Sequence, residues 1–246
     1  MEEVFYEMFN DLPRLGPGEK NSTIKAFRSM TDLSSKPKIL DIGCGVGTQT
    51  FHIAEISDGD ITATDNFQDF LDIITKRAKN EGFSGRVRAE IADMTDLKYP
   101  DEKFDLLWSE SSIYNIGFES GLREWKRLLK PGGYIVVSEA AWKQENPPKE
   151  IYDWWQSEYP AITTDKNNRK MIEECGYELI DSFALPDSAW MNDYYTPMQA
   201  NIDKMMIKYA GNKSAVEIIR GFQYEIDLFK RYSDFYGYYF FIMRKP

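Results

Sequence analysis

A short apolar run, Lys38 to Ile42, feeds directly into a glycine cluster: Ile39-Leu40-Asp41-Ile42-Gly43-Cys44-Gly45-Val46-Gly47-Thr48. Glycine at every second position suits neither a helix interior nor a sheet interior, but it suits a tight turn where backbone must pass close to something else. The chain therefore has to leave a strand and enter a helix within this segment, and Thr48 to Ile56 supplies the helical pattern. Strand, glycine turn and helix make the first unit of an α/β sheet, and the following residues repeat the alternation.

Asp60 to Thr64 reads as a second strand, ending at Asp65. Phe67, Phe70, Leu71, Ile74 and Ala78 then share one helical face, with Gly82 as the stop. Arg86 to Ile91 and Phe104 to Trp108 are the third and fourth strands. Leu122 to Leu129 is helical, and Pro131-Gly132-Gly133 breaks it before a fifth strand at Tyr134 to Ser138. Lys166 to Cys175 forms a helix ended by Gly176, followed by a sixth strand at Tyr177 to Leu185. Phe235 to Met243 is the last strand. Ile24, Phe27 and Met30 add a short N-terminal helix after the Pro13 to Gly18 turn. The expectation is one domain over 1–246, with an N-terminal helical segment at 1–35 and a two-helix cap at 186–234 inserted before the last strand. The sheet is doubly wound and mostly parallel.

The glycine loop points to a nucleotide-sized ligand. Glycines admit it closely, the next helix offers free N–H groups, and an acid at the second strand end accepts from ribose hydroxyls. Asp65 lies 18 residues beyond Gly47. The spacing is G-x-G-x-G, with Thr48 where the dinucleotide fingerprint G-x-G-x-x-G has its third glycine.

At these residues the chain resembles the class I S-adenosylmethionine (SAM)-dependent methyltransferases, in particular the broad ubiquinone- and menaquinone-type small-molecule group. The resemblance continues through Ala92-Asp93-Met94, Phe104-Asp105-Leu106-Leu107-Trp108 and Leu128-Leu129-Lys130-Pro131-Gly132-Gly133-Tyr134, and fades beyond Ala140. It implies a Rossmann-like seven-stranded sheet whose last strand runs antiparallel. It also implies SAM as cofactor. Gly43, Cys44, Gly45 and Gly47 would line its methionine part, and Asp41 would fix the loop and the ammonium. Asp65, with Asn66 beside it, would bind the ribose. Asp93 and the Met94 N–H would meet the adenine, and Glu110 would touch SAM or substrate.

Methyl transfer from a sulfonium needs mainly alignment in a closed site, with a base where the acceptor is protonated. Glu110, Glu139 and Asp193 are candidate bases, with no choice among them. Position 109–112 reads Ser-Glu-Ser-Ser, not the Asn/Asp-Pro-Pro-aromatic of adenine or glutamine N-methylating enzymes. Asn146-Pro147-Pro148 falls after the fifth strand and reads as a loop. Neither Cys44 nor Cys175 follows a proline, so a Pro-Cys nucleophile is absent. Trp142, Trp190, Tyr194 and Tyr195 are the candidate acceptor-binding residues, forming an aromatic pocket that suits a small organic molecule, cationic ones included. Packing of the cap is the competing use of each ring. The Pro13 to Gly18 turn reads as surface, or as a lid bringing Arg14 or Lys20 near the cofactor carboxylate. His52 and Cys175 read as structural.

Charge narrows the partners. The net charge is −10, and the cap from Asp187 to Asp234 carries seven acids and six bases, so no basic platform for nucleic acid is expected. One histidine excludes a multi-His metal centre, and no metal is expected. Two cysteines, an acidic start and no long apolar run point to a cytoplasmic chain without a membrane span. The expected function is methyl transfer from SAM to N, O, S or C of a small molecule. The alternatives are an NAD(P)-dependent oxidoreductase and a SAM-binding module without catalysis.

Overall fold

The structure is a computed structural model describing residues 2–246; Met1, part of the expected N-terminal segment, lies outside the described residues. Strands β1 (Lys38–Ile42), β2 (Asp60–Asp65), β3 (Val87–Ile91), β4 (Phe104–Ser109), β5 (Leu129–Trp142), β6 (Thr163–Thr164), β7 (Glu178–Ala184) and β8 (Tyr236–Arg244) form one sheet. Its order is β3-β2-β1-β4-β5-β8-β7, and β6 pairs with the end of β5. All pairings are parallel except those of β8, which runs antiparallel to both β5 and β7. The seven long strands are those the sequence predicts. The two-residue β6 is additional, because Thr163-Thr164 is too short to carry a period-two pattern.

Helices α1 (Glu2–Met8), α2 (Lys20–Arg28), α3 (Thr48–Ile56), α4 (Gln68–Asn80), α5 (Phe118–Trp125), α6 (Lys149–Glu158) and α7 (Asp165–Glu174) cover the sheet. Within the expected cap lie α8 (Ser188–Trp190), a π-helical stretch over Met191–Tyr195, α9 (Thr196–Lys208) and α10 (Lys213–Tyr232). Alternate strand residues feed opposite faces. Ile39, Trp108, Val136 and Phe240 enter one buried cluster, and Leu40, Leu107, Ile135 and Phe241 enter the other.

Two local readings differ from the sequence expectation. The helix expected over Leu122 to Leu129 starts earlier and stops at Trp125, followed by a 3₁₀ turn at Lys126–Leu128. Strand β5 begins at Leu129 and carries Pro131-Gly132-Gly133 as an irregularity, opposite the register shift between Phe104 and Leu106. The triplet thus bends a strand end, since proline at a strand start forfeits little. Asn146-Pro147-Pro148 is a loop, as the sequence reads it, and helix α6 directly after it is an element the sequence pattern does not announce.

The strand order reverses between β1 and β4: the chain leaves β1 toward β2 on one side of the sheet and β4 toward β5 on the other. In open α/β sheets this switch point is where a crevice forms.

Candidate active site

The loop after β1 closes on itself. The N–H groups of Gly43 and Cys44 both donate to the Thr64 carbonyl at 2.9 Å, and that of Gly47 donates to the Cys44 carbonyl at 2.9 Å. The Gly45 N–H donates to Asp65 Oδ2 at 2.9 Å, and the Phe67 N–H to Asp65 Oδ1 at 3.1 Å. Asp65 is thereby aimed by two backbone donors and keeps its remaining lone pairs free. Beneath the loop Asp41 is wholly buried, accepting from Thr50 Oγ1 at 2.5 Å and Gln49 Nε2 at 3.4 Å. Burial pushes its carboxyl up to about 7 despite those two donors.

A cavity of about 400 Å³ opens at this switch point. Gly43, Cys44, Gly45, Asp65, Asn66, Asp93, Met94 and Glu110 all line it, so eight of the ten residues expected around a cofactor come together there. Asp41 and Gly47 lie outside it. Asp41 sits under the loop, and Gly47 faces Ile74, whose Cγ1 is 2.6 Å from where a Cβ would stand. The cavity depends on absent side chains. Gly43 has φ +69, and a Cβ there would lie 2.5 Å from Ser112 Oγ and 3.0 Å from Met94 Cε. On the far wall Asp93 Oδ1 accepts from the Thr95 N–H at 2.8 Å and its hydroxyl at 2.7 Å, which lowers the Asp93 pKa and fixes the carboxylate.

Glu110 has a different setting from an acid open to a ligand. It is buried, accepts from Arg14 Nη2, from Thr23 Oγ1 at 2.8 Å and from Trp108 Nε1 at 2.9 Å, and so anchors the N-terminal segment. That segment is a packed strap across the crevice. Arg14 is 4% exposed, Ser111 Oγ donates to the Pro17 carbonyl at 2.7 Å, and the Gly18 N–H donates to the Ala189 carbonyl at 2.9 Å. Arg14 Nε and Nη1 are buried without a partner among the described residues. Lys20 instead pairs with Glu55 on the surface.

A second cavity of about 640 Å³ adjoins the first, and both share Leu15, Gly16, Ser111 and Tyr114 as walls. Trp190 and Tyr194 line it, whereas Trp142 and Tyr195 do not. Trp142 packs on Trp155 and Tyr236, and Tyr195 donates its hydroxyl to Glu225 Oε1 at 2.8 Å. Sequence reasoning missed Tyr159, Phe222, Glu225 and Tyr238, which also line this space. They come from the end of α6, from α10 and from β8, three elements far apart in sequence, so no local spacing gathers them. Of the other candidate bases, Glu139 lines neither cavity; burial pushes its carboxyl up to about 8, opposed in part by Tyr159. Asp193 lines neither cavity as well.

A mostly parallel sheet with a reversed penultimate-position strand, and a glycine cradle with a second-strand acid at its switch point, define the class I SAM-dependent methyltransferase fold. Comparison with known proteins gives the family. A profile described as "Methyltransferase domain" matches residues 33–211, and the chain belongs to that family. Phosphoethanolamine N-methyltransferase 3 of Arabidopsis thaliana is 29% identical over 157 residues, 63% of this chain and 32% of that protein. Methyltransferase GfsG of Streptomyces halstedii is 32% identical over 149 residues, 56% of this chain and 54% of that one. The chain spans about a third of the length of the phosphoethanolamine relatives it matches. A SAM-dependent methyltransferase from Thiobacillus denitrificans, solved with S-adenosyl-L-homocysteine (SAH), superposes with TM-score 0.85 at 16% identity, covering 100% of this chain and 99% of that one. Among the described residues no helix is long and apolar enough to cross a membrane.

Proposed function

We propose that the chain methylates a small molecule with SAM, the cofactor in the switch-point cavity and the acceptor in the adjoining aromatic one. The observation that carries this reading is the pair of cavities sharing Leu15, Gly16, Ser111 and Tyr114, which sets two ligands end to end. SAM, when bound, supplies an electrophilic methyl group on a sulfonium.

The residues present suit that cofactor. Asp65, held by two N–H groups, has acceptor capacity left for two ribose hydroxyls. Asp93 has an oxygen left for an adenine amino group, with Met94 and Asn66 alongside. Arg14 Nε and Nη1 are buried donors without partners at the cavity wall, the chemistry a carboxylate satisfies. The loop also argues against a dinucleotide. The N–H groups of Gly43, Cys44, Gly45 and Gly47 are already bonded within the protein, so none of them is free for a pyrophosphate.

Catalysis here rests on placement. The strap and cap exclude water, and the shared walls set the approach line. Glu110, committed to Arg14, Thr23 and Trp108, positions the strap. Phosphoethanolamine, named by several relatives, is not favoured as acceptor, because among the described residues no Lys, Arg or His lines the second cavity to meet its phosphate. The reading includes a cytoplasmic setting and no nucleic-acid partner, supported by a net charge of −10.

The test is equilibrium binding of SAH and of NAD, followed by transfer of labelled methyl from SAM to a panel of amines, phenols and thiols. SAH binding with turnover of at least one class is expected. NAD binding without SAH would favour an oxidoreductase, and SAH binding without turnover would favour a non-catalytic module.

A further inference from the structure

The wall chemistry of the second cavity goes beyond size. Its charged lining residues are Glu158 and Glu225, and its other walls are largely aromatic, among them Trp154, Trp190, Phe222 and Tyr224. Among the described residues no basic side chain in the lining balances the two acids. Glu225 is held in place from one side only, by the Tyr195 hydroxyl on Oε1. Tyr194 and Tyr238 are each 7% exposed and line the cavity, and among the described residues neither hydroxyl has a hydrogen-bond partner. A half-buried, half-satisfied carboxylate beside unpartnered hydroxyls and ring faces is an environment that a cation completes. Ring quadrupoles attract positive charge, and a carboxylate in such a setting gains from a charge-assisted bond.

We propose that this cavity selects acceptors carrying a cationic nitrogen on an apolar body of about ring size, and that Glu225 is the residue that recognises the charge. This rests on the cofactor and acceptor assignment above. An anion, whether carboxylate or phosphate, would face two acids and no counter-charge. A neutral acceptor would leave Glu225 unpaired. Desolvation pushes the Glu225 carboxyl up to about 7, opposed by the Tyr195 hydroxyl and reinforced by Glu158. The proposal makes Glu225 a determinant of specificity and leaves the chemical step to alignment.

The experiment is calorimetric binding to the full chain loaded with SAH, using phenethylamine, phenethyl alcohol, phenylpropionate and phosphoethanolamine as probes. Phenethylamine is expected to bind roughly tenfold tighter than the other three, as one charge-assisted contact implies. Glu225→Gln should bring that preference to within about twofold while phenethyl alcohol and SAH bind as before. Glu158→Gln, at an exposed position, should lower the preference by roughly twofold to threefold. Equal binding of amine and alcohol to the unmodified chain overturns the proposal whatever the variants do. So does tightest binding of phosphoethanolamine, or a preference that survives Glu225→Gln. Failure of SAH to bind is a separate result, which sinks the cofactor assignment and not the charge preference of the cavity.

Discussion

Asp65 and Trp190 show how differently two residues at neighbouring cavities are held. Asp65 is oriented by the Gly45 and Phe67 N–H groups, so its carboxylate direction is a property of the loop and not of the ligand. Asp65→Ala removes both the ribose acceptor and the tie that aims Gly45. It should weaken SAH binding by about 1–3 kcal/mol, read by calorimetry, with the melting temperature little changed. Unchanged affinity would place the ribose elsewhere. Trp190 is 4% exposed and stacks on Phe229 with ring centroids 4.6 Å apart, while one edge lines the acceptor cavity. Packing and, on the proposed reading, recognition of the acceptor therefore fall on one side chain. Trp190→Ala should cost roughly 3–5 kcal/mol in denaturant unfolding, and it should raise the acceptor KM in the fraction that folds. A loss below about 1 kcal/mol would mean that the ring is not part of the core.

At the scale of elements, β1, its loop and β2 were legible because each carries a local signal: an apolar run, alternating glycines, an acid at a strand end. Eight of ten expected cofactor residues line one cavity because they all sit at strand ends or in the loops just after them, where chain order determines position. The strap was not legible as a buried element. Pro13 to Gly18 has turn composition, and nothing near it in sequence announces that Arg14 meets Glu110, 96 positions away. Most of the second cavity was not legible for the same reason, since it draws on α1, the strap, α6, α10 and β8 together. The strap has a measurable consequence. Arg14→Ala leaves Glu110 buried with two neutral donors and no counter-charge, and should destabilise the fold by about 3–5 kcal/mol in urea unfolding. The double variant Arg14→Met, Glu110→Gln should recover most of that loss, because no charge then remains buried. If the single variant were harmless, the strap would be a loose lid and not a fixed wall.

Across the whole molecule, buried acids and net charge act in the same direction. Glu139 is pushed from 4.5 up to about 8 and Asp41 from 3.8 up to about 7, each chiefly by burial. A carboxyl with a raised folded-state pKa binds a proton more readily folded than unfolded, so its contribution to stability falls as pH rises from its unfolded value through its folded one. For Glu139 that window runs from 4.5 to about 8, and for Asp41 from 3.8 to about 7. Acids nearer the surface whose pKa is lowered, half-buried Glu7 and exposed Glu150, act oppositely but only in the acid range below their ordinary value of 4.5. A net charge of −10 adds repulsion as pH climbs. The melting temperature should therefore decline from pH 6 to pH 8.5. Salt separates the two causes, because it screens surface repulsion far more than a buried carboxyl. The decline that persists at high salt should shrink in Glu139→Gln, which stays neutral throughout. That variant should melt roughly 3–6 °C above the unmodified chain at pH 8.5 and within about 2 °C of it at pH 5. A decline abolished by salt alone would assign the whole effect to the surface, and would leave the buried acids with no part in how this protein responds to pH.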